Sequence, residues 1–104
     1  MIKNLVKSKW AKKQIVLNAF LSIPNSFTAE IMSEQGYDAL TIDYQHGMIG
    51  FNDLLTMIQS IRHSGVTPIC RVSGIDHAVI SKVMDAGALG IICLWLIIEN
   101  RRNN

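Results

Sequence analysis

The chain has 104 residues, 49% of them hydrophobic, and a formal net charge of +2. That length allows one domain or part of one, and that apolar share excludes a disordered segment. The longest apolar run, residues 88–98, falls short of the roughly 20 residues a membrane helix needs, and the near-neutral balance, without recurring basic and aromatic residues, argues against nucleic acid.

The charge is unevenly placed, because Lys3, Lys7, Lys9, Lys12 and Lys13 all fall in the first thirteen residues. Residues 1–13 read as a short basic helix with Leu5, Val6 and Trp10 on its other face, so the lysines form a solvated surface. No apolar segment of signal-peptide type follows this start, and a cytoplasmic protein is expected. Cys70 and Cys93 sit inside strand-like runs without metal-ligand spacing and read as small buried thiols in a reducing compartment.

The remaining elements alternate. Residues 14–24 (QIVLNAFLSIP) form a β-rich run closed by Pro24. In residues 25–36, Asn25 or Ser26 caps a helix whose stripe is Phe27, Ile31 and Met32, and Gly36 stops it. Residues 37–44 (YDALTIDY) are a second strand. The helix over 51–65 takes Asn52 as its cap and places Asp53 at its positive end. Its buried stripe is Leu54, Leu55, Ile58 and Ile61, and Gly65 ends it. A third strand covers 66–73 (VTPICRVS). The helix over 75–87 has Asp76 as cap, Val79, Ile80, Val83 and Met84 inside, and Gly87 as its stop. A fourth strand follows over 88–98.

This alternation, with strands apolar on both faces, predicts a parallel α/β sheet with right-handed crossovers. A doubly wound sheet and part of a (β/α)8 barrel both fit, and in both the chemistry collects where strands end. Ser22, His46 and Arg71 all follow or close a strand, so this topology brings them to one rim. Arg71 offers a planar fork for a carboxylate, and His46 can accept a proton near neutral pH. Asp43 or Asp85 could fix the histidine's tautomer. The plainer readings are a rim histidine satisfied by a backbone carbonyl and an arginine paired with a nearby acid. His63, in the last turn of its helix, and His77, on an exposed helix side, read as structural. The methionines read as core filler. No glycine-rich phosphate loop and no nucleophile elbow occurs in the sequence.

The run GYDALTIDYQHG, the pair Arg71–Val72 and the run MDAGALGIIC resemble the HpcH/HpaI aldolase family, over about Ile15 to Cys93. The resemblance implies the first half of a (β/α)8 TIM barrel: about four parallel strands with intervening helices, preceded by the basic helix. It also implies metal-dependent cleavage of a 4-hydroxy-2-oxo acid to pyruvate and an aldehyde. On it, His46 is the acid/base group, Arg71 holds the substrate carboxylate, and Asp85 supports the histidine, from across a subunit contact if not within the chain. Asp43 helps, and Phe20 and Gln45 line the substrate side. The chemistry is consistent, since retro-aldol cleavage needs a base for the 4-hydroxyl and a cationic sink for the enolate. A divalent ion, Mg2+ or Mn2+, supplies such a sink, and no lysine sits at a strand end to form a Schiff base instead.

Two departures accompany the resemblance. Gln45 stands where many relatives carry Glu. The family's metal ligands belong to later strands, outside the matching region, so no metal ligand is assigned in this chain. Residues 94–104 (LWLIIENRRNN) also replace the usual Pro-Met-Val-Asn continuation. Codons can be chosen for that tail so that one added base after the Cys93 codon restores Pro-Met-Val-Asn, and a single-base frameshift is the expectation. On this reading residues 1–104 are one partial domain: helix 1–13, half-barrel 14–93 and an aberrant tail 94–104. Such a fragment is expected to be inactive, with full-length relatives homo-oligomeric. The alternatives are a non-catalytic α/β interaction module, using the basic helix as its contact, and an acyl lyase of the citrate lyase β kind.

Overall fold

The computed structural model describes residues 4–44 and 48–93. After helix α1 (Leu5–Ala11), strands and helices alternate as β1 (Asn18–Leu21), α2 (Ser26–Ser33), β2 (Ala39–Asp43), α3 (Phe51–Ile61), β3 (Thr67–Val72), α4 (His77–Asp85) and β4 (Gly90–Cys93). A 3-10 turn, Arg62–Ser64, extends α3. The strands form one sheet in the order β1-β2-β3-β4, every neighbouring pair parallel. This is the four-strand α/β alternation expected from the sequence. Among the described residues no helix is long and apolar enough to cross a membrane.

Strand alternation sorts the side chains into two faces. Leu21, Leu40, Ile42, Cys70, Val72 and Cys93 meet Ala29, Leu54, Met57, Ile58, Ile61 and Val83 from the helices, and this layer is the core. Leu40, Ile42 and Leu54 are fully buried, so truncating one to alanine should cost about 2–5 kcal/mol. The registers put Asn18 and Phe20, Ala39, Thr41 and Asp43, Thr67, Ile69 and Arg71, and Gly90 and Ile92 on the opposite face. That face is partly polar. Thr41 Oγ1 donates to Asn18 Oδ1 at 2.9 Å.

Helix α1 covers the end of the sheet where the strands start. The Val6 amide donates to Thr67 Oγ1 (3.3 Å), and Asn4 Nδ2 donates to the Leu89 carbonyl (3.4 Å). Lys9 Nζ lies 2.6 Å from Asp38 Oδ1, while Asp38 Oδ2 accepts from the Leu17 amide at 2.8 Å. Both bonds stabilise the charged carboxylate, so Asp38 titrates below the usual carboxylate range, with the lysine bond the larger cause. Together α1 and this end of the sheet enclose a groove of about 640 Å³ lined by Val6, Trp10, Asn18, Thr67, Ile69 and Ile92.

Capping follows the local chemistry. Asn25 Oδ1 accepts from the Thr28 amide, and Asp76 Oδ1 from the Ala78 and Val79 amides. Gly87 ends α4 with φ 118°, and an added Cβ there would lie 2.8 Å from Arg62 Nη2 and 3.0 Å from Ile58 Cγ2. Backbone conformation and close packing therefore both demand glycine.

Several sequence expectations need correction. β1 is confined to residues 18–21, because its partner β2 begins only at Ala39; Ile15 and Ile23 lie outside it and are exposed. Helix α2 buries Ala29 and Ser33, while Phe27 and Ile31 are exposed, since small residues let it approach α3 closely. Helix α3 starts after Gly50, not Asn52: Asp53 turns back to accept from the Gly50 amide at 3.1 Å. Met57 takes the buried place expected of Leu55, which is half-buried. Met84 on α4 and Trp10 on α1 are exposed rather than inside. His63 lies in the 3-10 turn, two residues past the end of α3.

Candidate active site

The register that pairs Asp43 with Arg71 places an acid and a guanidinium side by side, on one face, where β2 and β3 finish. Arg71 Nε donates to Asp43 Oδ1 at 3.2 Å and Nη2 donates to Oδ2 at 2.5 Å, a two-point fork. Phe20 on β1 is two strand spacings from Arg71, and the long arginine side chain crosses over β2 to reach it. The guanidinium carbon lies 5.0 Å from the Phe20 ring centroid, within the range of a cation–π contact. Among the described residues, none takes a hydrogen bond from Nη1.

Electrostatics follow from the fork. The hydrogen bond to Asp43 pushes the Arg71 pKa above its already high value; slight burial opposes this and the Asp43 charge adds to it. The group is a fixed cation at any working pH. Cys70 points to the helix face one residue earlier, and its thiol is pushed up to about 12, by burial first and by the Asp43 charge second. It is a poor nucleophile, as expected for a structural thiol. Cys93 is also free and buried.

Three of the six residues singled out in the sequence thus converge: Phe20, Asp43 and Arg71. His46 and Gln45 lie outside the described residues, as does the tail 94–104. The chain enters the 45–47 segment from this same rim, because the Tyr44 amide donates to the Arg71 carbonyl at 3.0 Å. Asp85 is not brought to the rim of its own chain. It is the last, exposed residue of α4, shortly before β4 begins, and so lies toward the end of the sheet where strands start. Ser22, the other rim residue, is exposed just past β1, and His77 is exposed at the start of α4.

The plain expectation for Arg71, an ion pair with a nearby acid, is realised with Asp43. The stacking of Phe20 on that arginine has no sequence signal of its own. The Asp43–Arg71 contact does have one, since each residue stands at or next to the last position of its strand.

Among the described residues no group of three or more His, Cys, Asp or Glu side chains is arranged to hold a metal ion. Asp43, the carboxylate on the described rim, is engaged by Arg71. The described residues do not by themselves fit a divalent ion.

No protein-family model matches the chain. Individual proteins do. A hydroxypyruvate/pyruvate aldolase from Rhizorhabdus wittichii is 36% identical over 89 residues, 86% of this chain and 36% of that protein. A 4-hydroxy-2-oxo-heptane-1,7-dioate aldolase from Salmonella dublin is 30% identical over 87 residues, 84% of this chain and 33% of that protein. Among solved structures, citrate synthase SbnG superposes with a TM-score of 0.81 at 32% identity, covering 88% of this chain and 37% of that one. An HpcH/HpaI aldolase from Desulfitobacterium hafniense DCB-2, 23% identical with a TM-score of 0.78 over 86% of this chain and 35% of its own, shares the fold. The chain spans about a third of the length of the curated relatives it matches. Aligned with the N-terminal part of these full-length proteins, the chain belongs to the HpcH/HpaI aldolase/citrate lyase family.

Proposed function

We propose that this chain is the N-terminal piece of a carbon–carbon lyase that splits a 4-hydroxy-2-oxo acid into pyruvate and an aldehyde. The observation that carries the reading is the Asp43–Arg71 fork at the strand ends, with the Nη1 side of the guanidinium turned away from Asp43. A rim cation with an open edge is what a 2-oxo acid carboxylate requires. The relatives' names agree, since hydroxypyruvate, pyruvate and a 4-hydroxy-2-oxo dioate are all 2-oxo acids.

In this reading His46 takes the proton of the 4-hydroxyl, the C3–C4 bond breaks, and the aldehyde leaves. The electron pair remains as the pyruvate enolate. Arg71 holds the carboxylate and offsets the growing negative charge. Protonation at C3 completes pyruvate. Phe20 and Gln45 line the substrate side. Asp85 faces away from its own rim, so its support of His46 comes from a neighbouring copy in a homo-oligomer. The Mg2+ or Mn2+ implied by the resemblance would draw its ligands from outside the described residues and would supply positive charge for the enolate. A cytoplasmic setting suits the two free thiols.

The activity is proposed for a whole barrel, and the 104-residue chain alone is proposed to be inactive. Joining residues 1–93 to the remaining two-thirds of the Rhizorhabdus aldolase tests both statements. The chimera should cleave a 4-hydroxy-2-oxo acid with Mg2+ or Mn2+, and His46→Ala should lower the rate by about 10²–10⁴-fold. The separate chain should show no cleavage. A folded chimera without turnover overturns the lyase reading. Reading the coding DNA beyond the Cys93 codon tests the proposed frameshift: an alternative frame that fails to continue as a barrel overturns it. A second reading, condensation or cleavage of a citrate-like acid, is favoured by the 32% identical citrate synthase; the same chimera offered such an acid would show it.

A further inference from the structure

An arginine side chain at a strand end has freedom to swing into solvent, and the Arg71 side chain is 28% exposed. Two contacts oppose this swing. Asp43 takes the Nε and Nη2 donors in its fork, and the Phe20 ring lies against the guanidinium. Phe20 itself needs explaining. It is 48% exposed, a large aromatic held outside the core that Leu21 joins one residue later. On the sheet face away from the helices, its contact with a fixed cation is the interaction that accounts for a ring at this position among the described residues.

We infer that Phe20 is a positioning residue. It holds the Arg71 guanidinium over the rim, so that the Nη1–Nη2 end is the edge a ligand carboxylate can take. Asp43 occupies one edge, Phe20 covers one face, and the hydrocarbon stem closes the rear. What remains accepts one planar carboxylate, end-on, by two parallel hydrogen bonds. The ligand class is therefore a small carboxylic acid, held through one of its carboxylates. That this acid is a 2-oxo acid rests on the function proposed above; the positioning role does not.

The test uses the 104-residue chain with arginine labelled in 15N, the Arg71 Nε–H signal being identified by its loss in Arg71→Lys. In the unaltered chain that signal should show a ring-current shift and slow exchange with water. Phe20→Leu fills similar space without a π face; it should abolish the shift and speed exchange about threefold or more. Phe20→Trp, the stronger cation–π partner, should retain both features. Pyruvate is then added as the probe to the chimera described above, carrying the same Phe20 variants, with Mg2+ or Mn2+ present. Its affinity should fall about two- to fivefold in Phe20→Leu and recover in Phe20→Trp. Urea midpoints check that all variants fold, and Phe20→Met replaces Phe20→Leu if that variant does not.

An unchanged Arg71 signal in the leucine variant overturns the inference, as does unchanged pyruvate affinity there. If the folded chimera with Phe20 intact ignores pyruvate while the Arg71 signal responds to Phe20 as expected, positioning stands and the 2-oxo acid reading fails. Pyruvate binding that survives Arg71→Lys overturns both.

Discussion

Strand β2 is flanked by two acids, each paired with a cation, and the two ends serve different purposes. Asp38, just before the strand, meets Lys9 at 2.6 Å and the Leu17 amide at 2.8 Å. Its partners come from α1 and from the approach to β1, so the contact fastens the chain to itself. Asp43, at the last position, grips two donors of a guanidinium whose other end points elsewhere. A lysine is a point charge without a fixed donor geometry, whereas an arginine engaged on one edge keeps a second planar edge. The start of the sheet thus uses an ion pair to close a structure, and the finish uses one that leaves part of the guanidinium beyond Asp43.

The largest test of this contrast reads the field around Asp43. With the Cys70 thiol held at about 12, its thiolate at pH 8 is scarce, and alkylation should run about 10³-fold slower than in urea. Asp43→Asn should speed it by removing the smaller of the two causes. Peptide mapping after iodoacetamide treatment gives both rates.

Swapping the cations comes next. On the proposed function, Arg71→Lys removes the fork and should weaken pyruvate binding by the chimera about tenfold or more. Lys9→Arg preserves the charge and should change unfolding free energy by less than about 0.5 kcal/mol. Equal effects at the two ends would break the comparison.

Removing the acids reverses the order. Asp38→Ala leaves the Leu17 amide and Lys9 without their acceptor and should cost about 1–3 kcal/mol in urea unfolding. Asp43→Asn keeps an acceptor beside a partly solvated arginine and should cost about 1 kcal/mol or less.

The smallest effect is in pH. The Asp38 carboxyl titrates lower in the folded chain than in the unfolded one. Its contribution is therefore complete above the unfolded value, about 4, and is lost as pH falls through the lowered folded value. Amide exchange of α1 should accelerate over that acidic window, and Asp38→Asn should flatten the response.

The alternation of strands and helices was legible because each strand is a short apolar run and each helix ends on a glycine or a polar cap. Gly36, Gly65 and Gly87 all adopt positive φ, as a helix stop requires. Helix faces were less legible. Hydrophobicity alone points to Phe27 and Ile31, yet close packing of α2 selects Ala29 and Ser33. The cap of α3 was obscured because Gly50 has no side chain to advertise it, and the carboxylate of Asp53 supplies the bond from inside the helix. At the rim, strand ends disclose Asp43 and Arg71, but contact between β1 and β3 depends on how far a long side chain leans across the strand between them. Asp85 is the converse case. Chain alternation alone sends the end of a helix toward strand starts, and only family likeness ties that acid to the histidine.

The bond from Thr41 to Asn18 has a role beyond holding two strands together. Side chains alternate along a strand, so a slip of one residue would turn Phe20 to the helix side and leave Arg71 unroofed. An amide and a hydroxyl near the beginning of the sheet therefore act as an alignment pin for the opposite rim. The same slip would carry Leu21 out of the core, so the aim of the guanidinium and the packing of β1 depend on one register.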